Sequence, residues 1–556
     1  MTDILTLIYI NPLKIINMKQ NSLWMAAVLL CCLTITSLGS CTNENIDNPG
    51  QGYSGGGDFI YDLNDVEVTD SGVISTLDLL QDVIDDHSML EDRDDSLYTE
   101  WGVSQYAIID SLNKARTRDG EGEGWDGAGG TGYAQSAKWV TIRYKSTSVD
   151  GSTKDFSELI VYPYNRIRKN PNPKNLIIGC HCTITSNKER PTNFSELSFR
   201  TDVSMLALKF AAGDRNCLVV IPDYEGYGST HSDPHPYCNR DVTAKQVVDG
   251  AKAAVAWYEK NEKKMADGWS AIPVGYSQGG AVAAGTLRYH IIHPTDGRGL
   301  KMIGAVCGDG PYDPLATLKT YIEKDRLYMP VAPALLLKGA IDTNKGLKAL
   351  GCTYKDFVTD DFYNTGIFDW LEKKEFTTDE IQTKLLNHSA FTPGGFTMMC
   401  WSNTDKKFMP HDIHNYAGRD WDLSNGNAKS YCTVDQCFKP GVIAFFKDGS
   451  IKGDVPENKL KALEQALKEN SLYYGDYVPD IGAYSSGGTE RYTLFHSTGD
   501  EVVPVSNMES VKNKWGVDYL RAISYEAGTY LHVGTGAAFY VTYVGTLVDQ
   551  LLSDDR

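Results

Sequence analysis

Four short, largely apolar segments constrain the fold of this chain more than any other feature of its sequence. They are residues 175–179, 217–221, 271–275 and 302–306. Runs of this length without polar alternation are typical of strands that are buried on both faces of a sheet. Residues 243–258, between the second and third runs, carry apolar side chains at helical spacing. Strands that alternate with helices predict an α/β fold with a mostly parallel central sheet flanked by helices.

The strand-and-helix pattern starts before these runs, stops near residue 311 and resumes near residue 489. Further segments of the pattern are the neighbouring strands 139–144 and 158–162, the strands 492–495 and 519–523, and the helices 507–514 and 537–552. We therefore predict a core formed by residues 136–311 and 489–556, with residues 312–488 as a large cap or lid insertion. Within the insertion, Thr377 to Glu380 forms a capping box before a helix, and 457–472 is a charged amphipathic run.

A serine in a tight, glycine-flanked turn is the strongest chemical motif. Gly275-Tyr-Ser277-Gln-Gly279 directly follows one apolar strand and precedes a helix of small residues, 281–287. A G-x-S-x-G sequence in this context predicts a sharp strand-to-helix turn that lifts the serine to the top of the sheet, with glycine where side chains have no room. An ordinary turn with a helix-capping serine is the alternative. We predict that Ser277 is a nucleophile.

The base and the acid that would activate this serine are sought downstream of it. A serine hydroxyl needs a base, and the base needs a carboxylate that holds its tautomer. In sheets with this turn, the acid and then the histidine follow the serine along the chain. Asp500, in the loop after strand 492–495, is the preferred acid, with Glu501 and Asp309 as alternatives. His532 is the only histidine after Asp500 and is the predicted base.

A tetrahedral intermediate at such a serine carries an oxyanion that needs two or more hydrogen-bond donors. The backbone N–H of Gln278, directly after the serine, is predicted to supply one. The loop after strand 175–179 is predicted to supply another, through the N–H of Thr183 or of Cys182.

Four stretches together resemble the secretory lipase family of α/β-hydrolases. They are His181-Cys-Thr183, Pro222-Asp-Tyr-Glu-Gly-Tyr-Gly228, Gly275-Tyr-Ser-Gln-Gly-Gly280 and Gly499-Asp-Glu-Val-Val-Pro504. The resemblance covers roughly residues 150–310 and 490–550. It implies an α/β-hydrolase fold with a lid, and hydrolysis of acyl esters by a triad that maps onto Ser277, Asp500 and His532. The chain departs from the family at Cys182, where members usually carry glycine after the histidine.

The composition of the insertion bears on the substrate. A lid that binds an oil surface is expected to be strongly apolar. This insertion instead holds many polar residues around Trp401, His411, His414, Trp421, Asp422 and Asn425. We therefore predict a small-molecule, glycan or lipid ester as substrate, with short-chain or sugar-linked esters favoured over long triglycerides, and deacetylation of glycans among the possibilities.

Two other functions use the same features. A serine peptidase on the same fold is one, because the triad attacks amides as well as esters. A non-catalytic surface protein that binds glycans or lipids is the other, and an intact triad in the correct order argues against it. Haloalkane chemistry is excluded, since it needs aspartate at the position of Ser277. No Cys-x-x-Cys pair is present, so no zinc site is predicted. We expect no metal and no cofactor.

The first 58 residues have the organisation of an export signal with a lipid anchor. Residues 1–40 are predicted to be a signal peptide, in which Met18 starts a cationic and then apolar stretch and residues 1–17 are a mis-start. Leu38-Gly-Ser-Cys41 resembles a bacterial lipoprotein box, which would make Cys41 the lipidated first residue. Residues 41–58 form a polar, glycine-rich tether. We predict an exported protein held to a bacterial membrane, periplasmic or at the cell surface, by this anchor alone.

Residues 59–135 are predicted to be a helical extension that ends in a glycine-rich loop. Apolar side chains at helical spacing occur between about 68 and 115, at Leu77, Leu79, Leu80, Val83 and Ile84. The loop 119–132 is a flexible connector and not a phosphate cradle, because acidic residues interrupt it and no strand precedes it.

Charge and cysteine content limit the partners and the redox chemistry. The net charge of −19 excludes nucleic acid as a partner, because phosphate binding needs a basic surface. Twelve cysteines are present, of which two lie in the signal and one is Cys41, so an odd number remains. Cys432 and Cys437 are close enough in sequence for a local disulfide, which an exported protein permits.

Overall fold

A computed structural model describes residues 63–75, 136–164, 172–197, 201–212, 215–389, 395–411, 420–422, 430–479, 491–516, 520–525 and 532–554. The predicted signal peptide, the predicted lipidation site Cys41, the tether, the apolar stripe 77–84 and the glycine-rich loop 119–132 lie outside these residues. Among the helices in these ranges, none is both long and apolar enough to span a bilayer.

A nine-stranded sheet forms the centre of the fold. Its strands are β1 (Glu67–Ser75), β2 (Ser136–Thr147), β3 (Thr153–Pro163), β4 (Asn175–Cys180), β5 (Cys217–Pro222), β6 (Ser270–Tyr276), β7 (Gly304–Gly308), β12 (Arg491–Ser497) and β13 (Leu520–Tyr525). They are ordered β1-β2-β3-β5-β4-β6-β7-β12-β13. The first three pairings are antiparallel and the other five are parallel. The predicted mostly parallel sheet is confirmed.

Fifteen α-helices occur in the described ranges. Six of them pack with the nine-stranded sheet or follow its last strands: α1 (Asp202–Leu206), α2 (Arg240–Asn261), α3 (Gln278–Ile292), α13 (Ser506–Trp515), α14 (His532–Ala538) and α15 (Val544–Asp554). Short π-helical segments at Ala207–Ala212 and Phe539–Tyr543 continue α1 and join α14 to α15.

The apolar strands are buried because both faces of the sheet are covered. Leu176 and Ile178 of β4 belong to a core shared with α2, α3 and α13. Ile177, between them, points to the opposite face and packs in a core shared with α1 and α15. Alternate residues of a strand face opposite sides, so a strand covered on both sides needs apolar side chains at successive positions, as Leu176, Ile177 and Ile178 of β4 provide.

The residues between β7 and β12, called the inserted segment below, have a core of their own. Its helices are α4 (Pro314–Lys324), α5 (Val331–Thr343), α6 (Lys345–Ala349), α7 (Asp360–Asn364), α8 (Ile367–Lys373), α9 (Thr378–Ser389), α10 (Val434–Cys437), α11 (Pro440–Asp448) and α12 (Glu457–Glu469). Four short strands, β8 (Met399–Ser402), β9 (Lys407–Pro410), β10 (Trp421–Asp422) and β11 (Ser430–Tyr431), form a second sheet. The domain boundaries drawn from the sequence stay predictions.

Local signals in the inserted segment are reproduced where they are strong. The side chain of Thr377 accepts a hydrogen bond from the N–H of Glu380, and the Glu380 carboxylate accepts one from the N–H of Thr377, which is the predicted capping box at the start of α9. The thiols of Cys432 and Cys437 are both free, with their sulfur atoms 3.5 Å apart.

Two regions differ from the expectation. Residues from about 68 onwards were expected to be helical, yet Glu67–Ser75 is a strand that pairs antiparallel with β2. The edge of β2 supplies backbone partners for this segment, and this tertiary pairing outweighs local preference. The part of the insertion in which the polar residues around Trp401 and Trp421 lie also contains the strands β8 to β11, which the sequence did not predict, because strands of two to four residues are too short to leave a repeating pattern.

Candidate active site

The turn between β6 and α3 holds Ser277 in a strained conformation. Ser277 has φ 57° and ψ −128°, in a region that non-glycine residues rarely adopt. Its N–H donates to the carbonyl oxygen of Gly308 at 2.9 Å. A Cβ on Gly279 would lie 2.0 Å from the carbonyl oxygen of Cys180, and one on Gly275 would lie 2.3 Å from that of Gly279. Both glycines of the motif are thus required by close backbone approach.

The three side chains that the sequence selects are brought together at the carboxyl ends of the parallel strands. Nε2 of His532 lies 2.8 Å from Oγ of Ser277, and its Nδ1 lies 2.5 Å from Oδ2 of Asp500. Oδ1 of Asp500 accepts hydrogen bonds from the N–H groups of Val502 and Val503 at 2.8 and 2.7 Å. With Nδ1–H donated to the carboxylate, Nε2 presents a lone pair to the serine hydroxyl.

The backbone of His532 is held from both sides. Its N–H donates to Oε2 of Glu501 at 3.1 Å, and its carbonyl oxygen accepts from the hydroxyl of Tyr276 at 2.7 Å. Glu501, an alternative acid in the sequence, therefore holds the backbone of the histidine and not its ring. No sequence signal identifies Tyr276 in this role, because it occupies the variable position of the G-x-S-x-G motif.

Burial controls the protonation of these groups. Burial lowers the pKa of His532, so its ring is neutral at neutral pH and Nε2 can accept a proton. Burial raises the pKa of Asp500 to about 7, and hydrogen bonds from the N–H groups of Val503 and Val502 oppose this rise. Burial likewise raises the pKa of Glu501 to about 7.

Because Asp309 follows a different strand, it is expected to lie apart from Asp500. The structure instead places the two carboxyl groups close together. One oxygen of Asp309, one oxygen of Asp500 and one ring nitrogen of His496 lie within 4.8 Å of one another. The oxygens of Asp500 already take part in three hydrogen bonds, and Nε2–H of His496 is donated to the carbonyl oxygen of Val503 at 2.8 Å. We therefore assign none of these groups as a metal ligand.

Comparison with known proteins supports the fold. No protein-family model matches the sequence, and no curated protein sequence matches it. Among solved structures, the rice cell wall degrading esterase LipA from Xanthomonas oryzae is 16% identical, with a TM-score of 0.54 over 76% of this chain and 92% of that one. Its ligand-bound form is 15% identical, with a TM-score of 0.53 over 88% and 99%. A hydrolase from Legionella pneumophila is 16% identical, with a TM-score of 0.50 over 75% and 89%.

The chain has the α/β-hydrolase fold. In this fold the oxyanion donors lie at the residue after the nucleophile and in a loop after an earlier strand. Gln278 is the first residue of α3, so its backbone N–H has no partner within the helix. Thr183, in the loop after β4, lines the same cavity as Ser277.

Cys182 is not a suitable oxyanion donor, contrary to one of the two expectations for this loop. Its N–H donates to Oδ2 of Asp202 at 2.5 Å. The carboxylate of Asp202 thus occupies the backbone N–H of Cys182. Thr183 is left as the candidate oxyanion donor in this loop. The sequence carried no sign of this contact, because Asp202 belongs to α1 and is remote from the motifs.

His235, which no sequence motif indicates, holds the side chain of Gln278. Nε2 of Gln278 donates to Nε2 of His235 at 2.9 Å, and Nδ1–H of His235 donates to the carbonyl oxygen of Glu225 at 2.7 Å. Burial lowers the pKa of His235 to about 3, so the ring is neutral and Nε2 accepts. The residue after Ser277 is therefore fixed through a buried hydrogen-bond network.

A cavity of about 380 Å³ opens above Ser277 and His532. One part of its wall is apolar and comes from the inserted segment and the loop after β12: Met329, Val331, Ala332, Leu335, Leu336, Val502 and Val503. Another part carries the carboxyl groups of Glu189, Asp202 and Asp379. Among the described residues that line the cavity there is no lysine or arginine.

Proposed function

We propose that this protein hydrolyses carboxylic esters, with Ser277 as nucleophile, His532 as general base and acid, and Asp500 as the carboxylate that holds the histidine. The observation that carries the proposal is the hydrogen-bond chain from Oγ of Ser277 to Nε2 of His532 at 2.8 Å and from Nδ1 to Oδ2 of Asp500 at 2.5 Å. This chain of hydrogen bonds ends at Ser277, which lines a cavity large enough for a small ester. A protein that only binds its ligand has no need for a serine with a strained backbone conformation in such a chain of hydrogen bonds.

The reaction follows from the positions of the donors. Oγ of Ser277 attacks the acyl carbon while its proton passes to Nε2 of His532, and the N–H groups of Gln278 and Thr183 bind the oxyanion. Collapse of the intermediate breaks the ester C–O bond, and the imidazolium returns the proton to the leaving alcohol. Water then attacks the acyl-enzyme by the same route, with His532 as base, and releases the carboxylic acid and free Ser277.

The wall of the cavity supports a neutral ester with a short apolar acyl group. The apolar part of the wall suits a hydrocarbon chain. The three carboxyl groups of Glu189, Asp202 and Asp379 repel anionic substrates. Esters whose alcohol part carries hydroxyl groups, including sugar esters, suit this polar part of the wall better than they suit its apolar part.

The test is a panel of p-nitrophenyl esters from acetate to palmitate, together with aminoacyl amides, on wild type and Ser277→Ala. We expect hydrolysis of short esters, a loss of several orders of magnitude in the variant, and labelling of the wild type by a fluorophosphonate at Ser277 alone. Faster hydrolysis of the amides would favour a peptidase. Undiminished activity of Ser277→Ala, or labelling of another serine, would refute the assignment.

We further propose that the protein is exported and held to a bacterial membrane by acyl chains on Cys41. The proposal rests on the cationic and apolar stretch that starts at Met18 and on the Leu-Gly-Ser-Cys sequence that ends at Cys41. The glycine-rich tether 41–58 would allow the catalytic unit to reach substrates near that surface.

A further inference from the structure

A second buried carboxyl group, that of Asp309, lies beside the triad acid and has no role in the reaction described above. Asp309 directly follows β7 and is fully buried. Its N–H donates to the carbonyl oxygen of Phe495 at 2.8 Å, and its Oδ1 accepts from the N–H of Ser497 at 2.8 Å. Its carboxyl group also lies close to that of Asp500, with one oxygen of each within 4.8 Å of the other. Asp309 therefore attaches the loop that carries the acid to the end of the neighbouring strand.

The hydrogens around Tyr276 indicate the protonation state of Asp309. Oη of Tyr276 lies 2.6 Å from Oδ2 of Asp309 and 2.7 Å from the carbonyl oxygen of His532. Each contact is a hydrogen-bond distance and needs one hydrogen. The hydroxyl supplies one, and a carbonyl supplies none. The second hydrogen has to come from the carboxyl group of Asp309, which is then a neutral acid.

The charges around Asp309 lead to the same state. The groups that face it are Tyr276 from β6, Tyr312 after β7, His496 from β12, Asp500 from the loop that follows, and His532 from α14. Nε2–H of His496 is donated to the carbonyl oxygen of Val503, and burial lowers the pKa of both His496 and His532. Neither ring therefore supplies a positive charge that could balance a second carboxylate.

Of the two neighbouring carboxyl groups, Asp500 is the one that holds the negative charge. Asp500 accepts bonds from Val502, Val503 and the ring of His532, and each of these bonds favours the ionised form. Asp309 accepts one bond from a backbone N–H, that of Ser497. Burial and the charge of Asp500 raise the pKa of Asp309 to about 7, and two groups this close titrate as a pair.

We infer that Asp309 is a positioning residue that works as a neutral acid: its proton completes the contacts that join Asp309 to Tyr276 and Tyr276 to the backbone of His532, and its neutrality leaves the negative charge on Asp500 alone. Loss of that proton places two carboxylates side by side and removes one hydrogen from the contacts of Tyr276, so the site is disordered at alkaline pH. The inference concerns the site of the proposed ester hydrolysis and rests on that function.

The first test compares Asp309→Asn with the wild type between pH 6 and 9.5, with rates expressed per active site after fluorophosphonate titration. Asparagine is neutral, accepts from Ser497 and donates an N–H, so we expect kcat at pH 7 within about tenfold of wild type. The alkaline decline of the wild type should be absent from the variant. Asp313→Asn is the control, since Asp313 is a buried aspartate that caps α4 outside the cavity, and it should keep the decline.

Two results would overturn the inference. A loss of about 10³-fold in Asp309→Asn at pH 7 would mean that Asp309 acts as an ionised acid. An alkaline decline that persists in Asp309→Asn would mean that another group titrates.

A second measurement does not depend on activity. An acid whose pKa is raised by folding contributes its full stability below the unfolded pKa near 3.8, and that contribution is lost as the pH rises to about 7. The melting temperature of Asp309→Asn relative to wild type should therefore increase between pH 4 and pH 7 and then level off. A difference that does not change with pH would refute the neutral acid. If no ester is hydrolysed by any variant, the proposed function fails, and this comparison still decides the state of Asp309.

Discussion

The hydroxyl of Tyr276 donates a hydrogen bond to the backbone carbonyl oxygen of His532 at 2.7 Å. Tyr276, which directly precedes the proposed nucleophile Ser277, thus holds the backbone of the proposed base. The two rings also contact each other, with centroids 5.2 Å apart. Glu501 holds the N–H of the same residue. A base whose backbone is fixed at both the N–H and the C=O keeps its ring in reach of Ser277 without reorganisation, which is what a catalytic arrangement needs.

The acid of the triad can be distinguished from its neighbour by substitution. Asp500→Asn keeps the shape of the side chain but removes the charge that stabilises the imidazolium, so we expect kcat to fall by about 10³-fold or more with little change in KM. Glu501→Gln is the matched control, because the amide oxygen can still accept from the N–H of His532. Steady-state kinetics on a short p-nitrophenyl ester provide the measurement. Equal damage from both changes would contradict the assignment of Asp500.

The glycine after the nucleophile turn is expected to be essential for folding. The Cβ of Gly279→Ala would lie 2.0 Å from the backbone carbonyl oxygen of Cys180 and 2.8 Å from that of His181, so backbone atoms and not a flexible side chain would have to move. We expect destabilisation of about 3 kcal/mol or more. Gly285→Ala in the same helix is the control, since its closest neighbour is a side-chain atom of Arg240 at 2.9 Å. The free energy of unfolding, measured with denaturant, should be much lower for Gly279→Ala than for Gly285→Ala. The reverse order would argue against this turn geometry.

Glu158 is predicted to weaken the fold as the pH rises. Its side chain is fully buried in β3, its two carboxyl oxygens have no hydrogen-bond partner among the described residues, and burial raises its pKa well above the usual value. The unfolded chain therefore ionises first, and stability that is present at low pH is lost as the pH increases. The melting temperature of Glu158→Gln relative to wild type should rise with pH from about 4.5 upwards.

Val161→Ala serves as the control for that experiment, because it removes packing from the same strand without removing an ionisable group. Its deficit in melting temperature should be the same at every pH. If the difference in melting temperature between Glu158→Gln and wild type is also independent of pH, the carboxyl group does not titrate in this way.

The anchor can be tested by fractionation of cells that express the protein. Cys41→Ser should move the protein from the membrane fraction to a soluble exported fraction, since acyl chains supply the membrane affinity in this proposal. Asn43→Ser, in the tether, is the control and should stay with the membrane. A wild-type protein that is soluble after export, with an unmodified N-terminus, would rule the anchor out.

Prediction from the sequence succeeded for features that depend on neighbouring residues. The apolar runs predicted buried strands, and β4, β5, β6 and β7 lie at or near those positions. The glycine-flanked serine predicted a tight turn, which the positive φ of Ser277 bears out. A capping box such as that of Thr377 and Glu380 is equally local. Each of these features is specified within about ten residues of chain, so the sequence alone carries it.

Features that depend on contacts between distant segments were decided only by the tertiary structure. Asp309, Asp500 and Glu501 were all candidates for one role, and the fold places all three near His532 with different partners. Which one faces the imidazole depends on the relative positions of β7, β12 and α14. The sequence determined by itself the turn that presents Ser277 and the sheet that supports it, because backbone geometry and strand burial are local. The protonation and pairing of the acids came from the tertiary structure, because burial and neighbouring charge exist only once distant strand ends meet.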